Sequence, residues 1–487
     1  MKKKTIACIA YVVLAFGVCV VPTVAMPFVD TEQTSENRTL KKMPSFKKED
    51  GTWNQDWGTE FESYFSDHFA FRQDMADAYD TVLGATLKTS AQADVIIGKD
   101  DWLYYTPTVQ DYVNEAKITE VGAKHIGHVL EMMQDYAEEN GAKFIFTSAP
   151  NKNSIYPEYM PARYICSEQS DTLTLMEQAL SNTDVCYCPL RAILSEQTEQ
   201  KTTDVPLYHK WDTHWNNYGA CIAFDALMDT AGLEHMDYTD VSYTIEQNWD
   251  GDLSQMLYPT SEKKDENVMY DYEPSYSYLG RFRSTDDLSI RTQNPTAQEQ
   301  SLLMFRDSFG RALIPFLAED FSSTTFLRAD HYPMDTLEQT PSDVVILELV
   351  ERNLPNLLGY APQMPAPIVT IPEEPERVKT DTDATLQIEK NGNYLHLYGS
   401  YDADYANQDR IFVTISSENG AKQTYEAFPC YEYAQMEQDA PLDNGYSLYI
   451  PTETFDASVQ TVQITVLFNQ HYRNLGTAGQ FQLGANQ

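Results

Sequence analysis

Basic residues are the scarce class in this chain of 487 residues. Lys and Arg number 34 against 73 Asp and Glu, for a formal net charge of −39. Nucleic-acid binding needs clustered Lys and Arg to meet phosphates, so this balance excludes a nucleic-acid partner. It also excludes adhesion to anionic lipid headgroups beyond any anchor the chain itself carries. A neutral substrate, or one held by a local cation, fits such a surface better than a dense polyanion.

Cysteine is nearly as sparse. Cys8 and Cys19 sit in the N-terminal apolar stretch, which leaves Cys166, Cys186, Cys188, Cys221 and Cys430. Five is odd, so at least one thiol is free or intermolecular. Cys166 has Cys186 or Cys188 as disulfide partners in an oxidising compartment, and scattered small buried residues are the other reading. Cys186-x-Cys188 has the wrong spacing for a zinc knuckle and no second pair completes one. No internal repeat is visible. What the chain does have is 42% hydrophobic residues and 32 Tyr with 21 Phe. That suffices for real cores, and the length suits two or three domains.

The N-terminus reads as a targeting segment. Lys2, Lys3 and Lys4 precede an apolar run from Ile6 to Val21, extended by Val24 to Val29. A charged start followed by an apolar run is a secretory signal. Thr23-Val24-Ala25 offers a cleavage site; uncleaved, the segment is an anchor with the rest of the chain outside. Both readings place the protein outside the cytoplasm, membrane-anchored by this segment or secreted.

Residues 1–29 therefore form the signal or anchor. Residues 30–90 form a polar stalk and a helical lead-in, whose apolar positions Phe61, Phe65, Phe69, Met75, Tyr79 and Leu83 recur at helical spacing. Residues 91–360 alternate strand and helix. Val95–Gly98 and Trp102–Tyr105 read as a hairpin pair. Lys143–Thr147, Leu302–Phe305 and Val344–Leu347 are near-continuous apolar strands, and helical stripes run through Ile126–Ala137 and Asn216–Ala231. That pattern argues α/β architecture on a parallel sheet flanked by helices. Five prolines between Tyr360 and Thr380 make 361–380 a stiff linker. Beyond it, 381–487 shows short β-rich runs parted by Asn391-Gly392, Asn419-Gly420 and Asn444-Gly445, an all-β sandwich. Its Tyr residues suit carbohydrate stacking and half-buried sheet positions alike.

Two local sequences carry chemistry. Lys210-Trp211-Asp212-Thr213-His214-Trp215-Asn216 lies just before a helix. Met304-Phe305-Arg306-Asp307-Ser308-Phe309-Gly310 lies where a buried strand turns into a helix. A Ser there stands at the carboxyl edge of a parallel sheet, where open α/β sheets place their sites, and Ser is also a good helix N-cap. A nucleophilic Ser needs a base, and His serves near neutral pH when a carboxylate orients its other ring nitrogen. Asp212 and His214, two residues apart, fit those roles, and a surface Asp beside a packed His fits the same spacing. His209 with Asp212 and His214 invites a metal reading, which no further Cys/His cluster supports; neither metal nor cofactor is expected.

The chain resembles the DHHW family and the related AlgX/AlgJ-type alginate O-acetyltransferases, which carry SGNH-hydrolase-like domains. The likeness runs through Glu36-Asn37-Arg38-Thr39-Leu40, Asp67-His68-Phe69, Val95-Ile96-Ile97-Gly98-Lys99, Pro150-Asn151-Lys152, Asp212-Thr213-His214-Trp215, Gly251-Asp252-Leu253 and Asp307-Ser308-Phe309, in that order. It departs at Thr213, where the signature has His, and at Arg306, where Gly is usual. The resemblance implies an SGNH-like 91–360 with Ser308 as nucleophile, His214 as general base and Asp212 as its orienter. Asp-His preceding Ser implies a circularly permuted arrangement.

The implied activity is extracytoplasmic transfer of an acyl group, most simply acetyl, to hydroxyls of an exported or cell-envelope polysaccharide. A membrane-embedded O-acyltransferase supplies acetyl groups in such systems. A carbohydrate acetyl esterase and a non-catalytic glycan-binding protein with a degenerate site are the alternatives. Asn153 (or Asn151) is a candidate oxyanion donor. Lys152 is a candidate clamp, as are Lys210 and Arg311, and Arg306 is a candidate site cation; solvated surface charge is the other reading of the clamps. Trp215 is a candidate sugar platform, with packing behind His214 as the other reading. Glu351-Arg352 reads as a structural ion pair.

Overall fold

Alternate residues of the apolar strands bury into two different cores. In the computed structural model Leu302 and Met304 join one cluster with Ile145 and Ile346, while Leu303 and Phe305 join another with Phe144, Phe146, Val345 and Leu347. Successive side chains of a strand point to opposite faces. Continuous apolar runs therefore follow when helices cover both faces. The structure describes residues 3–28, 41–48, 51–71, 74–75, 92–200, 205–238, 241–329, 331–431, 442–455 and 458–483.

Numbered along the chain, the strands up to residue 350 are β1 Val95–Ile97, β2 Leu103–Tyr105, β3 Lys143–Ala149, β4 Tyr187–Cys188, β5 Tyr243–Trp249, β6 Asp265–Tyr270, β7 Ser277–Tyr278, β8 Ser289–Gln293, β9 Gln298–Phe305, β10 Phe321–Leu327 and β11 Val344–Val350. The main sheet has the order β4-β3-β11-β9-β10-β8-β7. Its first five strands are parallel. The two at the far edge are antiparallel, which departs from the all-parallel expectation. Residues 294–297 are too few to carry the chain back for a parallel return, so β8 and β9 run in opposite directions. β1 pairs with β2, and β5 with β6, as separate antiparallel ribbons.

Helices Leu190–Gln200, Asn217–Ala231 and Ile314–Asp320 cover one face, and Glu120–Glu139 and Thr172–Leu180 the other. Asn216 caps its helix by accepting from the amides of Tyr218 and Gly219, and Gly232 ends it in the left-handed region at φ 64°, where a Cβ is unfavourable.

The remaining strands are β12 Glu376–Arg377, β13 Gln387–Asn391, β14 Tyr394–Ser400, β15 Arg410–Ser417, β16 Lys422–Cys430, β17 Gly445–Pro451, β18 Val459–Phe468 and β19 His471–Gln482. They form a separate sheet of order β12-β19-β18-β15-β16-β17-β14-β13. β16 pairs with β15 through Lys422–Ala427 and with β17 through Phe428–Cys430. It thus passes between two layers, whose inward residues share one core, as in a sandwich. The proline-rich stretch has no helix, yet it is not a free spacer. Ala366 donates to Tyr449 O at 2.8 Å and Val369 to Thr424 O at 3.0 Å, and β12 adds to the edge of β19.

The module is bound to the α/β part through helix Glu120–Glu139. His125 Nε2 meets Gln408 O at 2.8 Å, His128 Nε2 meets Glu426 Oε1 at 2.8 Å, and Tyr431 N donates to Leu358 O at 2.8 Å. Phe428 enters the core beneath that helix.

Near the N-terminus Lys3–Ala25 is helical with Pro22 inside it, and Trp57–His68 is a helix that buries none of its residues. Among the described residues no helix is long and apolar enough to cross a membrane. Tyr79, Leu83 and residues 30–40, 49 and 50 of the polar stalk lie outside the described residues.

Candidate active site

The carboxyl ends of β3, β9 and β11 meet at one edge of the sheet, and the two chemical motifs converge there. Ser308 is the third residue after β9 and opens the short helical turn Phe309–Ala312. Its side chain caps nothing in that turn. Instead its Oγ lies 2.9 Å from His214 Nε2.

His214 comes from the loop before helix Asn217–Ala231. Asp212 Oδ1 accepts both the His214 backbone amide at 2.8 Å and its ring Nδ1 at 2.6 Å. One oxygen of a residue two positions earlier thus fixes the backbone and the imidazole together. The bond at Nδ1 leaves Nε2 unprotonated toward Ser308, the state a base requires. Asp212 Oδ2 accepts from Trp249 Nε1 at 2.9 Å and from the Asp252 amide at 3.1 Å. Burial by itself would raise the Asp212 carboxyl, but the charge and hydrogen bond of His214 outweigh it and hold it well below the usual range. Arg311, one turn past Ser308, brings a guanidinium nitrogen to 3.2 Å from His214 Nδ1, and its charge lowers Asp212 further.

A second carboxylate stands beside the first. Asp252 accepts from Thr213 N at 2.8 Å and Thr213 Oγ1 at 2.6 Å, and its Oδ2 is 3.5 Å from His214 Nδ1. Burial, then the Asp212 charge, raise it. Gly251 permits the approach: a Cβ there would stand 2.4 Å from Trp211 O. Ligand atoms of Asp212, His214 and Asp252 lie within 4.8 Å of one another, close enough for a cation. Each of those atoms already serves a bond within the loop, and Arg311 supplies positive charge at the same edge. His209 is not part of the group. It stacks on Trp249 at 4.7 Å, binds Glu266 O at 2.8 Å, and burial lowers it to about 4.

The four tentative substrate residues have other work, and here the expectation needs correcting. Lys152 gives its ammonium protons to the carbonyls of His209, Lys210 and Asp212 at 3.1, 3.2 and 2.6 Å. Burial lowers it to about 8, and it ties the Asp212 loop rather than facing a ligand. Asn153 turns its amide to Thr108 Oγ1 at 2.8 Å. Trp215 is buried and donates to Phe309 O at 3.1 Å, so no ring face is open to a sugar. Arg306 is buried and binds the carbonyls of Asp307, Thr285 and Asp287 at 3.1, 2.7 and 3.0 Å.

Glu351 pairs with Arg191 at 3.8 Å, not with Arg352, whose guanidinium lies over the Phe309 and Tyr105 rings. The five described cysteines are all unpaired; Cys166 is exposed with its thiol on Tyr112 O at 3.2 Å.

Trp249 and Asp252 are contributors to which the sequence reading gave no role. Gly251-Asp252-Leu253 was visible as a motif, whereas Trp249 ends a ribbon with no signal of its own. Beside the loop lies a cavity of about 340 Å³ lined by Trp102, His209, Trp211, Asn216 and Ile245 among others. Neither Ser308 nor His214 lines it.

Residues 95–288 match a family model described as SGNH hydrolase-like domain, acetyltransferase AlgX. The match includes Asp212 and His214 and ends before Ser308, whose place in the site rests on geometry. Over 334 residues the chain is 24% identical to the probable alginate O-acetylase AlgJ of Pseudomonas syringae pv. tomato, spanning 62% of this chain and 79% of that protein. It is 22% identical to the protein of the same description from Pseudomonas fluorescens, over 63% and 80%. Among solved structures, a DHHW family protein from Eubacterium siraeum aligns with TM-score 0.42 and 14% identity over 55% of this chain and 96% of that one. The O-acetyltransferase domain of Pseudomonas putida AlgJ aligns with TM-score 0.36 and 18% identity over 53% and 91%. The resemblance to AlgX- and AlgJ-type proteins drawn from the motifs is thus met by the family match and by both relatives.

Proposed function

We propose that this chain is a serine-dependent O-acetyltransferase that acylates hydroxyls of a cell-envelope or exported polysaccharide. The observation that carries the reading is the continuous relay from Asp212 Oδ1 through His214 to Ser308 Oγ, at 2.6 and 2.9 Å. The similarity to AlgX- and AlgJ-type acetyltransferases supplies the substrate class.

In the first half-reaction Ser308 Oγ attacks the acetyl carbonyl of the donor ester while His214 Nε2 takes the hydroxyl proton. The tetrahedral adduct collapses, the carbon–oxygen bond to the leaving group breaks, and His214 returns the proton to that group. Acetyl-Ser308 remains. In the second half His214 takes the proton of a sugar hydroxyl, whose oxygen attacks the acetyl-enzyme. Ser308 leaves and regains the proton from His214. Asp212 stays ionised throughout and steadies the imidazolium. The charged, apolar N-terminal segment supports a place outside the cytoplasm, with a membrane-embedded O-acyltransferase as the acetyl source. The intact Ser308–His214 contact weighs against a degenerate, binding-only site.

The test incubates the protein with an activated acetyl ester, with and without a neutral oligosaccharide, and follows protein and sugar by mass spectrometry. The expected result is acetyl on Ser308 and then on the sugar, both absent in Ser308→Ala. Free acetate without acetyl sugar would make the protein an esterase. No Ser308-dependent acetyl chemistry would overturn the reading.

A further inference from the structure

Strand β11 reads Val-Val-Ile-Leu-Glu-Leu-Val, and its one charged residue, Glu348, is wholly buried. An isolated carboxyl in an apolar strand costs several kcal/mol in desolvation, so packing alone does not explain it. Its neighbours give another reason. β11 lies beside β9 with Leu347 opposite Phe305, which brings Glu348 level with the turn that begins at Arg306.

Glu348 Oε2 accepts the Asp307 amide at 3.2 Å and also takes the amide of Gly310. These are the amides on either side of Ser308. A Cβ at residue 310 would stand 2.8 Å from that oxygen and 2.7 Å from Arg306 Cβ. Glycine is what lets the turn settle on the carboxyl. Asp307 reaches the opposite way: its Oδ1 accepts from Phe309 N at 2.9 Å, and its Oδ2 from Val350 N at 2.7 Å and Asn353 Nδ2 at 2.9 Å. The turn is fastened by two carboxyls exchanged between it and β11.

We propose that Glu348 is a positioning residue for Ser308: its carboxyl grips the backbone amides flanking the serine and holds the turn that aims Oγ at His214. The proposal rests on the serine reading above and adds to it a residue that no motif marks.

Arg306 and Asp307 from the turn and Tyr208 from the loop after residue 205 are the charged and titratable groups whose fields reach Glu348. Burial first, then the Asp307 charge, raise Glu348 well above the usual carboxyl range. Burial and that charge favour the protonated acid, and Oε1, with no hydrogen-bond partner among the described residues, is the oxygen left for the proton. Because the folded-state value is raised, the stability the acid contributes is fully present below its unfolded value and is lost as pH rises through the folded one. Two anions then face each other beneath the serine.

The experiment labels the full chain with phenylmethanesulfonyl fluoride and counts adduct on Ser308 by mass spectrometry from about pH 6 to about pH 10. Wild type, Glu348→Gln, Glu348→Leu and Ser308→Ala are compared, each with a thermal melt. Glu348→Leu is expected to label at least about tenfold more slowly, since small misplacements of a reacting group cost that much or more. The isosteric Glu348→Gln is expected to restore most of the rate and to keep it as pH rises, where wild type declines. Wild-type labelling in Glu348→Leu, or a Glu348→Gln profile that overlies wild type at every pH, would overturn the proposal. If Glu348→Leu does not fold, the Glu348→Gln profile alone decides. A wild type that takes no adduct on Ser308 sinks the serine reading itself, an outcome distinct from the other two.

Discussion

Trp249 donates its indole N–H to Asp212 Oδ2 over 2.9 Å. The donor ends the β5–β6 ribbon, 37 positions after its acceptor. It binds the oxygen that His214 does not use, so it fixes the carboxylate plane in which His214 Nδ1 must lie. Trp249→Phe removes this bond. The expected result is a fall of about tenfold in kcat with little change in KM, the size of one lost charge-assisted hydrogen bond. Steady-state kinetics with an acetyl ester would measure it.

Asp212→Asn should cost far more than Trp249→Phe. An amide in place of the carboxylate removes the acceptor that selects the imidazole tautomer. Losses of about 10⁴-fold follow where that tautomer is wrong. The check is the rate of Ser308 acylation. A loss below tenfold would separate Asp212 from the relay.

Lys152→Met leaves three carbonyls of the 209–212 segment without their donor. Stability should fall by about 2–4 kcal/mol, since unsatisfied buried acceptors carry a large penalty. The loop bearing Asp212 should become more susceptible to proteolysis than the sheet. Denaturant midpoints and limited digestion read the two effects separately.

Glu351 links stability to pH. Burial, then Asp111, raise it from 4.5 to about 7. With the folded-state value above the unfolded one, its contribution is fully present below about pH 4.5 and lost by about pH 7. The span corresponds to about 3 kcal/mol. Glu351→Gln should flatten that part of the stability–pH curve, measured by urea unfolding across the same range.

The His128–Glu426 pair joins the two halves of the chain most tightly in a pH window. Burial alone would lower His128, but its bond with Glu426 outweighs that and raises it. Burial likewise would raise Glu426, but His128 and Arg410 lower it. The His contribution is present below its unfolded value and lost as pH rises through the raised one. The Glu contribution is present above its unfolded value and lost as pH falls through the lowered one. His128→Ala should weaken docking of the module by about 1–3 kcal/mol within that window. Hydrogen exchange along β16 would report it.

The α/β class was legible because strands covered on both faces must be apolar throughout, and Lys143–Thr147, Leu302–Phe305 and Val344–Leu347 are. β7 and β8 escaped notice because β7 is an edge strand of two residues and β8 alternates exposed and buried residues. Asp212 and His214 stood out because a two-residue spacing is itself a geometry: one carboxylate oxygen reaches both the amide and the ring. Lys152, Asn153, Trp215 and Arg306 were reasonable types in the right neighbourhood. Pattern does not reveal which way a side chain turns, and all four turn to the protein's own carbonyls and hydroxyls. Trp249 and Glu348 were invisible for a different reason. Each acts on a residue tens of positions away, and only the pairing of β5 with β6, and of β11 with β9, brings them there.

The crossing of β16 between two layers has a consequence for how the chain can be divided. Near its end the strand carries Phe428, seated in the core shared with Leu357 and Leu358, and Tyr431, just past its end, is bonded to Leu358 O. A gene rearrangement that cut the chain near residue 360 would strip apolar surface from both products. The β module produced without the α/β body is thus expected to expose Phe428.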